Sequence, residues 1–139
     1  MKITFETAKL AKEKGFDKIT DEMYPSIQAI PQLEPYNKTK FTLYKDYCLA
    51  PIQSELQRWL REEHGINVIA NWYWNGSDEY VYIFEIEYVP QEYQEEKRRV
   101  SHVKRIHSYS EAGACYHGGY DKYEEALEAG LAHALTLIK

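Results

Sequence analysis

Cysteine is nearly absent from this chain: Cys48 and Cys115 are the two in 139 residues. Two thiols cannot build a disulfide framework, and their spacing matches neither a zinc knuckle nor a redox CxxC pair, so a reducing, cytoplasmic setting is expected. Long apolar runs are missing as well. No stretch approaches the ~18 residues of a membrane span, and residues 1–16 alternate lysine with apolar side chains, without the apolar core or cleavage site of a signal peptide. Nor is there an excess of positive charge, because 17 Lys and Arg stand against 22 Asp and Glu, for a net charge of −5. That balance argues against a general nucleic-acid coat, which needs a basic surface. No phosphate-cradling glycine loop, nucleophile elbow or metalloprotease helix occurs; Gly118-Gly119 precedes a helix but lacks the lysine of a P-loop. Neither a cofactor, a metal nor a membrane is an expected partner, and no catalytic residue is assigned.

What is present is enough apolar surface for one core. With 44% hydrophobic and 28% charged residues the chain lies outside the composition of disordered segments. Thr4 is a plausible N-cap with Ile3 and Ala8 as a hydrophobic staple, predicting a short helix that ends at Gly15 with Phe16 packed back on it. Prolines 25, 31 and 35 interrupt residues 17–49, which read as an ordered but irregular wrap because Ile27, Ile30, Leu33, Phe41 and Leu43 are too apolar for a linker. Pro51 suits a first helical turn, and Ile52, Leu56, Trp59 and Leu60 then mark a helix stopped by Gly65.

Residues 66–74 and 80–88 alternate as two half-buried strands. A three-residue turn at Asn75-Gly76-Ser77 would pair Trp72 with Tyr80, Ala70 with Tyr82, Val68 with Phe84 and Ile66 with Ile86. These paired side chains then share one face. An even-length loop would set Glu85 and Glu87 on that face, at the cost of burying carboxylates. Residues 90–110 fit a helix, a protruding arm or a mobile insertion, and residues 112–117 are the candidate third strand. Asp121-x-x-Glu124 signals a last helix whose stripe is Leu127, Leu131, Ala134, Leu135 and Ile138. The expected fold is a single α+β domain. Residues 1–50 supply the helix and wrap, and residues 51–139 an α-β-β-β-α core, interrupted by the insertion, with a small antiparallel sheet carrying two helices on one face.

From Pro51 on, this order is also that of double-stranded-RNA-binding domains. That family sets lysines at the start of the last helix, where this chain has the acidic Asp121-Lys122-Tyr123-Glu124-Glu125, so RNA binding does not carry over. Two strings, APIQSELQRWLRE over 50–62 and YEEALEAGL over 123–131, resemble a family of small uncharacterised proteins carried by phages and mobile elements of gut Bacteroidetes. The resemblance covers mainly residues 51–139 and implies a cytoplasmic accessory protein without an assigned activity.

Three groups of residues carry candidate chemistry. Lys97, Arg98, Arg99, Lys104 and Arg105, with His102 and His107 among them and Tyr93 and Tyr109 beside them, form the basic cluster and the nucleic-acid candidate. Its bland reading is solvated surface balanced by Glu92, Glu95, Glu96 and Glu111. Cys115 and His117, at i and i+2, suit a thiolate–imidazole pair or half a metal site, with His102, His107 and Cys48 as possible further ligands. No recognisable ligand spacing supports it. Thirteen tyrosines and three tryptophans invite a stacking role, but Trp59, Trp72, Tyr82 and Phe84 fall at core-facing positions and need no ligand. The second hairpin face sets Ile69 opposite Ile83 and Asn71 opposite Val81, beside Tyr73. Ile69, Tyr73, Val81 and Ile83 are therefore the candidate interface. The leading expectation is a non-catalytic accessory module working through a protein partner or as a homodimer, ahead of nucleic-acid binding and of a small enzyme or metal site at Cys115 and His117.

Overall fold

The structure, a computed structural model, describes residues 1–25, 32–74, 80–90, 92, 103–108 and 119–139. Helix α1 (Phe5–Glu13) is followed by strands β1 (Glu22–Tyr24) and β2 (Glu34–Pro35), helix α2 (Lys38–Leu43) and strand β3 (Cys48–Leu49). Helix α3 (Gln53–His64), the hairpin of β4 (Ile66–Trp74) and β5 (Tyr80–Tyr88), strand β6 (Lys104–His107) and helix α4 (Tyr123–Thr136) complete the α+β fold.

Local chemistry explains most boundaries. The Thr4 hydroxyl accepts the Thr7 N–H, Ile3 and Ala8 are buried as the staple requires, and the N–H groups of Gly15 and Phe16 close α1 on Lys12 and Ala11. Ile52, not Pro51, caps α3, and the Glu55 carboxylate reaches back to the Ile52 N–H at 3.0 Å. Pro51 thus stands just outside the first turn. Lys122 precedes α4 as its N-cap without a side-chain bond, so the expected cap at Asp121 is displaced by one residue.

Residues 17–49 contain a small sheet, ordered β2-β1-β3, that the irregular reading did not anticipate. Strands of two or three residues are too short to show a period of two. The larger sheet is ordered β4-β5-β6, all antiparallel. Its third strand is 104–107, inside the stretch read as an insertion; the expected one at 112–117 lies outside the described residues. Tyr120 continues the same edge by bridging Tyr82.

The hairpin register differs from the expected one by two residues: Ile66 pairs with Tyr88, Val68 with Ile86, Ala70 with Phe84, Trp72 with Tyr82 and Trp74 with Tyr80. Five residues, not three, separate the strands. Because the shift is even, the apolar side chains keep the face assigned to them. That face carries α3 and α4, with α1 beside α4 and the small sheet beyond it. Leu33 and Phe41 pack against this same core, and Ile27 and Ile30 lie outside the described residues.

Two features set how tightly the helices dock. Gly130 lets α4 lie against the strands, since a Cβ there would stand 2.8 Å from Phe84 Cβ and 2.9 Å from Val68 Cγ1. The Glu128 carboxylate of α4 accepts the Thr4 N–H at 2.8 Å, the Thr7 hydroxyl at 2.6 Å and the Gln53 amide at 3.4 Å, tying α1 and α3 to α4.

Trp59 is 6% exposed and meets Phe16 edge-on with centroids 5.3 Å apart. Trp59→Ala should therefore cost ~3–5 kcal/mol through lost burial and an unfilled cavity. Thermal melting checks it: a midpoint within a degree or two of the parent's would mean that α3 is not docked in this way.

Burial also makes stability depend on pH at both ends. Desolvation raises the Tyr24 phenol, which donates to Ile3 O at 2.7 Å, above its ordinary range, with Glu128 adding to the rise. It raises the buried Cys48 thiol likewise. The unfolded chain ionises these groups first, so stability should fall as pH climbs through ~9 to 11. Desolvation lowers His64, whose ring meets Trp59 at 4.5 Å, so stability should also fall as pH drops below ~6.5, where the unfolded imidazole binds its proton first. Melting temperatures across pH check both limbs. Tyr24→Phe should show a shallower alkaline decline than the parent, and an equal decline would remove Tyr24 as a cause.

Candidate functional site

The helices do not cover the whole sheet. α3 is pinned to β4 where Gln57 Nε2 donates to Val68 O at 2.5 Å, and α4 begins at Tyr123, whose ring meets Tyr82 edge-on at 6.1 Å. Nine-residue strands reach ~30 Å at ~3.3 Å per residue. The hairpin therefore runs past both contacts, and the alternation that fills the core at Val68, Phe84 and Ile86 continues into solvent.

There the side chains are aromatic. Trp72 is 66% exposed, Tyr80 64% and Trp74 46%. Trp72 lies 5.6 Å from Tyr80 and 5.9 Å from Tyr82, and Trp74 lies 5.0 Å from Tyr80, so the rings brace one another. Tyr123 extends the patch from the helix side. The core position expected for Trp72 is corrected: its orientation is as read, but no described helix lies above it. Trp59 and Phe84 are core residues as expected, and Tyr82 is partly buried at the border. Scattered exposed apolar groups are ordinary, whereas a contiguous ring cluster marks an interaction surface.

Charge around this end is acidic. Asp121 and Glu125 are exposed and Glu124 half-buried at the start of α4, against Lys122. The described lysine and arginine of the basic cluster sit at the other end of the sheet: Lys104 opposite Tyr88, and Arg105 opposite Glu87 with an ion pair at 3.2 Å. His107 faces Glu85 at 3.8 Å. Tyr80 and Tyr88 are separated by ~26 Å of strand. Lys97, Arg98 and Arg99 lie outside the described residues, as do Cys115, His117 and His102.

The second hairpin face is also rearranged. With the observed register Ile69 stands opposite Glu85, Ile83 opposite Asn71 and Val81 opposite Tyr73. Ile83 is only 1% exposed, and Gly119 packs so closely on Val81 that a Cβ would meet its Cγ2 at 2.5 Å. Ile69 and Val81 are half-buried and Tyr73 remains exposed. The expected patch is thus not open as a unit, and a charge at Ile83 would have to be buried rather than solvated.

No metal chemistry assembles among the described residues, where no group of three His, Cys, Asp or Glu side chains could hold an ion. Cys48 is on the small sheet and His107 on the large one, so these two do not converge. Lysines 9, 12 and 45 surround a depression next to Cys48, but Lys12 is already engaged by the carbonyls of Lys45 and Tyr47. None of the helices of the described residues is long and apolar enough to cross a membrane. No protein-family model, curated protein or solved structure matches the chain.

The aromatic end was missed because alternation reports which face a side chain takes, not whether anything covers it. One signal was available: β4 closes on Asn71-Trp72-Tyr73-Trp74, with no charged or small residue to mark an edge. Replacing Trp72 by Ala should change stability by less than ~1 kcal/mol, against several for Trp59→Ala, because little burial is lost. Urea unfolding of the two variants checks the contrast, and a Trp72→Ala loss as large as that of Trp59→Ala would place Trp72 in the core.

Proposed function

We propose that this chain is a non-catalytic binding module, an accessory protein of a mobile element, that grips a protein partner with the aromatic end of its hairpin. The supporting observation is the braced cluster of Trp72, Trp74 and Tyr80, exposed beyond the helices, with Tyr123 exposed at the first residue of α4. Trp and Tyr are rigid, lose little entropy on contact and dominate protein interfaces. The acidic start of α4 favours a partner surface that presents arginine or lysine, which can lie over the rings while pairing with Asp121 or Glu125. Aromatic stacking is also what single-stranded nucleic acid uses, but that mode needs cations beside the rings. Here Lys122 stands amid Asp121, Glu124 and Glu125, while Lys104 and Arg105 lie a sheet length away and Arg105 is paired with Glu87.

The double variant Tyr80→Ala/Tyr123→Ala tests the reading without touching β4. Immobilised parent should retain specific proteins from a gut Bacteroidetes lysate, and the double variant, melting within a few degrees of the parent, should lose them. Identical retention by both would remove the ring face from any binding role. Oligonucleotides at low salt should run unretarded with either; retardation that disappears with added salt would favour the nucleic-acid reading instead.

A further inference from the structure

Strand β4 has one paired edge and one edge that no described strand pairs with. The N–H and C=O of Phe84 both meet Ser108, and those of Tyr82 both meet Tyr120. Even-numbered residues of β5 thus turn their backbone groups away from β4, leaving the odd-numbered ones to bond Asn67, Ile69, Asn71 and Tyr73. It follows that Val68, Ala70, Trp72 and Trp74 aim theirs at the outer edge. Gln57 satisfies the Val68 carbonyl. Beyond that point no hydrogen bond reaches Ala70 or Trp72 across this edge from any described residue, and residues 71–74 are exposed.

Natural sheets protect such edges with charge, proline, bulges or very short strands. β4 has nine residues and contains no charged residue and no proline. The opposite edge of the same sheet is protected: β6 has four residues and begins Lys104-Arg105. Protection on one side alone is what a sheet needs if its bare edge is covered by a copy of itself and growth must stop there.

We propose that β4 pairs edge to edge with β4 of a second copy, antiparallel about Trp72, to give one continuous sheet across a two-fold axis. Ala70 of each copy then lies opposite Trp74 of the other, a small side chain beside a large one, and Trp72 meets Trp72. No charged side chain of β4 enters the contact, so the net charge of −5 on each copy opposes it only at a distance. The exposed parts of Trp72, Tyr73 and Trp74 offer about 300 Å2 per copy at ~200 Å2 for a whole ring side chain. With the strand backbones of both copies the pair approaches the ~1,000 Å2 that a specific interface requires. The pairing shares with the proposed function the reading of the hairpin end as a binding surface, but it rests on the edge and rings of β4 rather than on Tyr80 and Tyr123.

Trp72→Pro is the deciding variant. Its lost N–H points outward, so the β4–β5 ladder stays intact, as proline on an edge strand allows. The parent should sediment at twice its 16.4 kDa chain mass at tens of micromolar. Trp72→Pro should sediment at the single-chain mass with an unchanged circular dichroism spectrum. Tyr80→Ala/Tyr123→Ala should remain dimeric, which separates this contact from partner capture. Should Trp72→Pro not fold, amide exchange on the parent decides: the Ala70 and Trp72 amides should slow as concentration rises through the dimerisation range. A parent that stays monomeric, a Trp72→Pro dimer as tight as the parent's, or exchange at those two amides independent of concentration would each overturn the pairing. A monomeric parent whose partner capture still depends on Tyr80 and Tyr123 would overturn the dimer alone.

Discussion

The rest of the molecule depends on how closely α4 can approach the strands, and Gly130 sets that distance. With side-chain atoms of Phe84 and Val68 under 3 Å from where a Cβ would sit, there is no room for even a methyl group. The helix consequently lies flat on β4 and β5 and buries Leu127, Leu131, Ala134 and Leu135 together. A glycine in a helix interior costs about 1 kcal/mol in propensity. Here that cost is offset by the burial of an entire apolar stripe.

From this contact the other elements take their places. Glu128, on the side of α4 away from Gly130's contact, collects the cap of α1 and the first residue of α3, so three helices share one carboxylate. Such a group is well satisfied while all its donors are present and poorly so if one is lost, because a partly buried carboxylate without partners is expensive. The same anchoring leaves the end of β4 and the start of β5 without a described helix over them. α4 starts at Tyr123, against Tyr82, and α3 is held at Val68, so the last residues of β4 and the first of β5 extend past the core. What is rigid near the helices thus positions what is exposed beyond them, and the exposed rings ride on a strand pair rather than on a loop.

Much of the fold was legible because strong periods and caps are local. The α3 stripe through Leu56, Trp59 and Leu60, the Thr4 cap, the Gly15 stop and both hairpin strands follow from residues within a turn or two of each other. The small sheet was not legible, since strands as short as Glu34–Pro35 carry no pattern. The third strand was misplaced for a related reason: Lys104–His107 has only Ile106 as an apolar mark, and its charges pair across the sheet with Glu87 and Glu85, which are remote in sequence. The register error of two residues arose because alternation fixes parity alone. Loop length decides the rest.

The candidate site divides in the same way. By itself the sequence determined that Trp72 and Trp74 share a face with Tyr80 and Tyr82, because side chains alternate along a strand whatever surrounds it. Whether that face is core or surface was decided only in the tertiary structure, by where α3 and α4 end. Likewise the sequence showed a β4 without charges, and only the assembled sheet showed which of its edges no described strand pairs with. The physical reason is common to both: orientation is a property of the local backbone, whereas burial and edge exposure depend on distant segments that pack there.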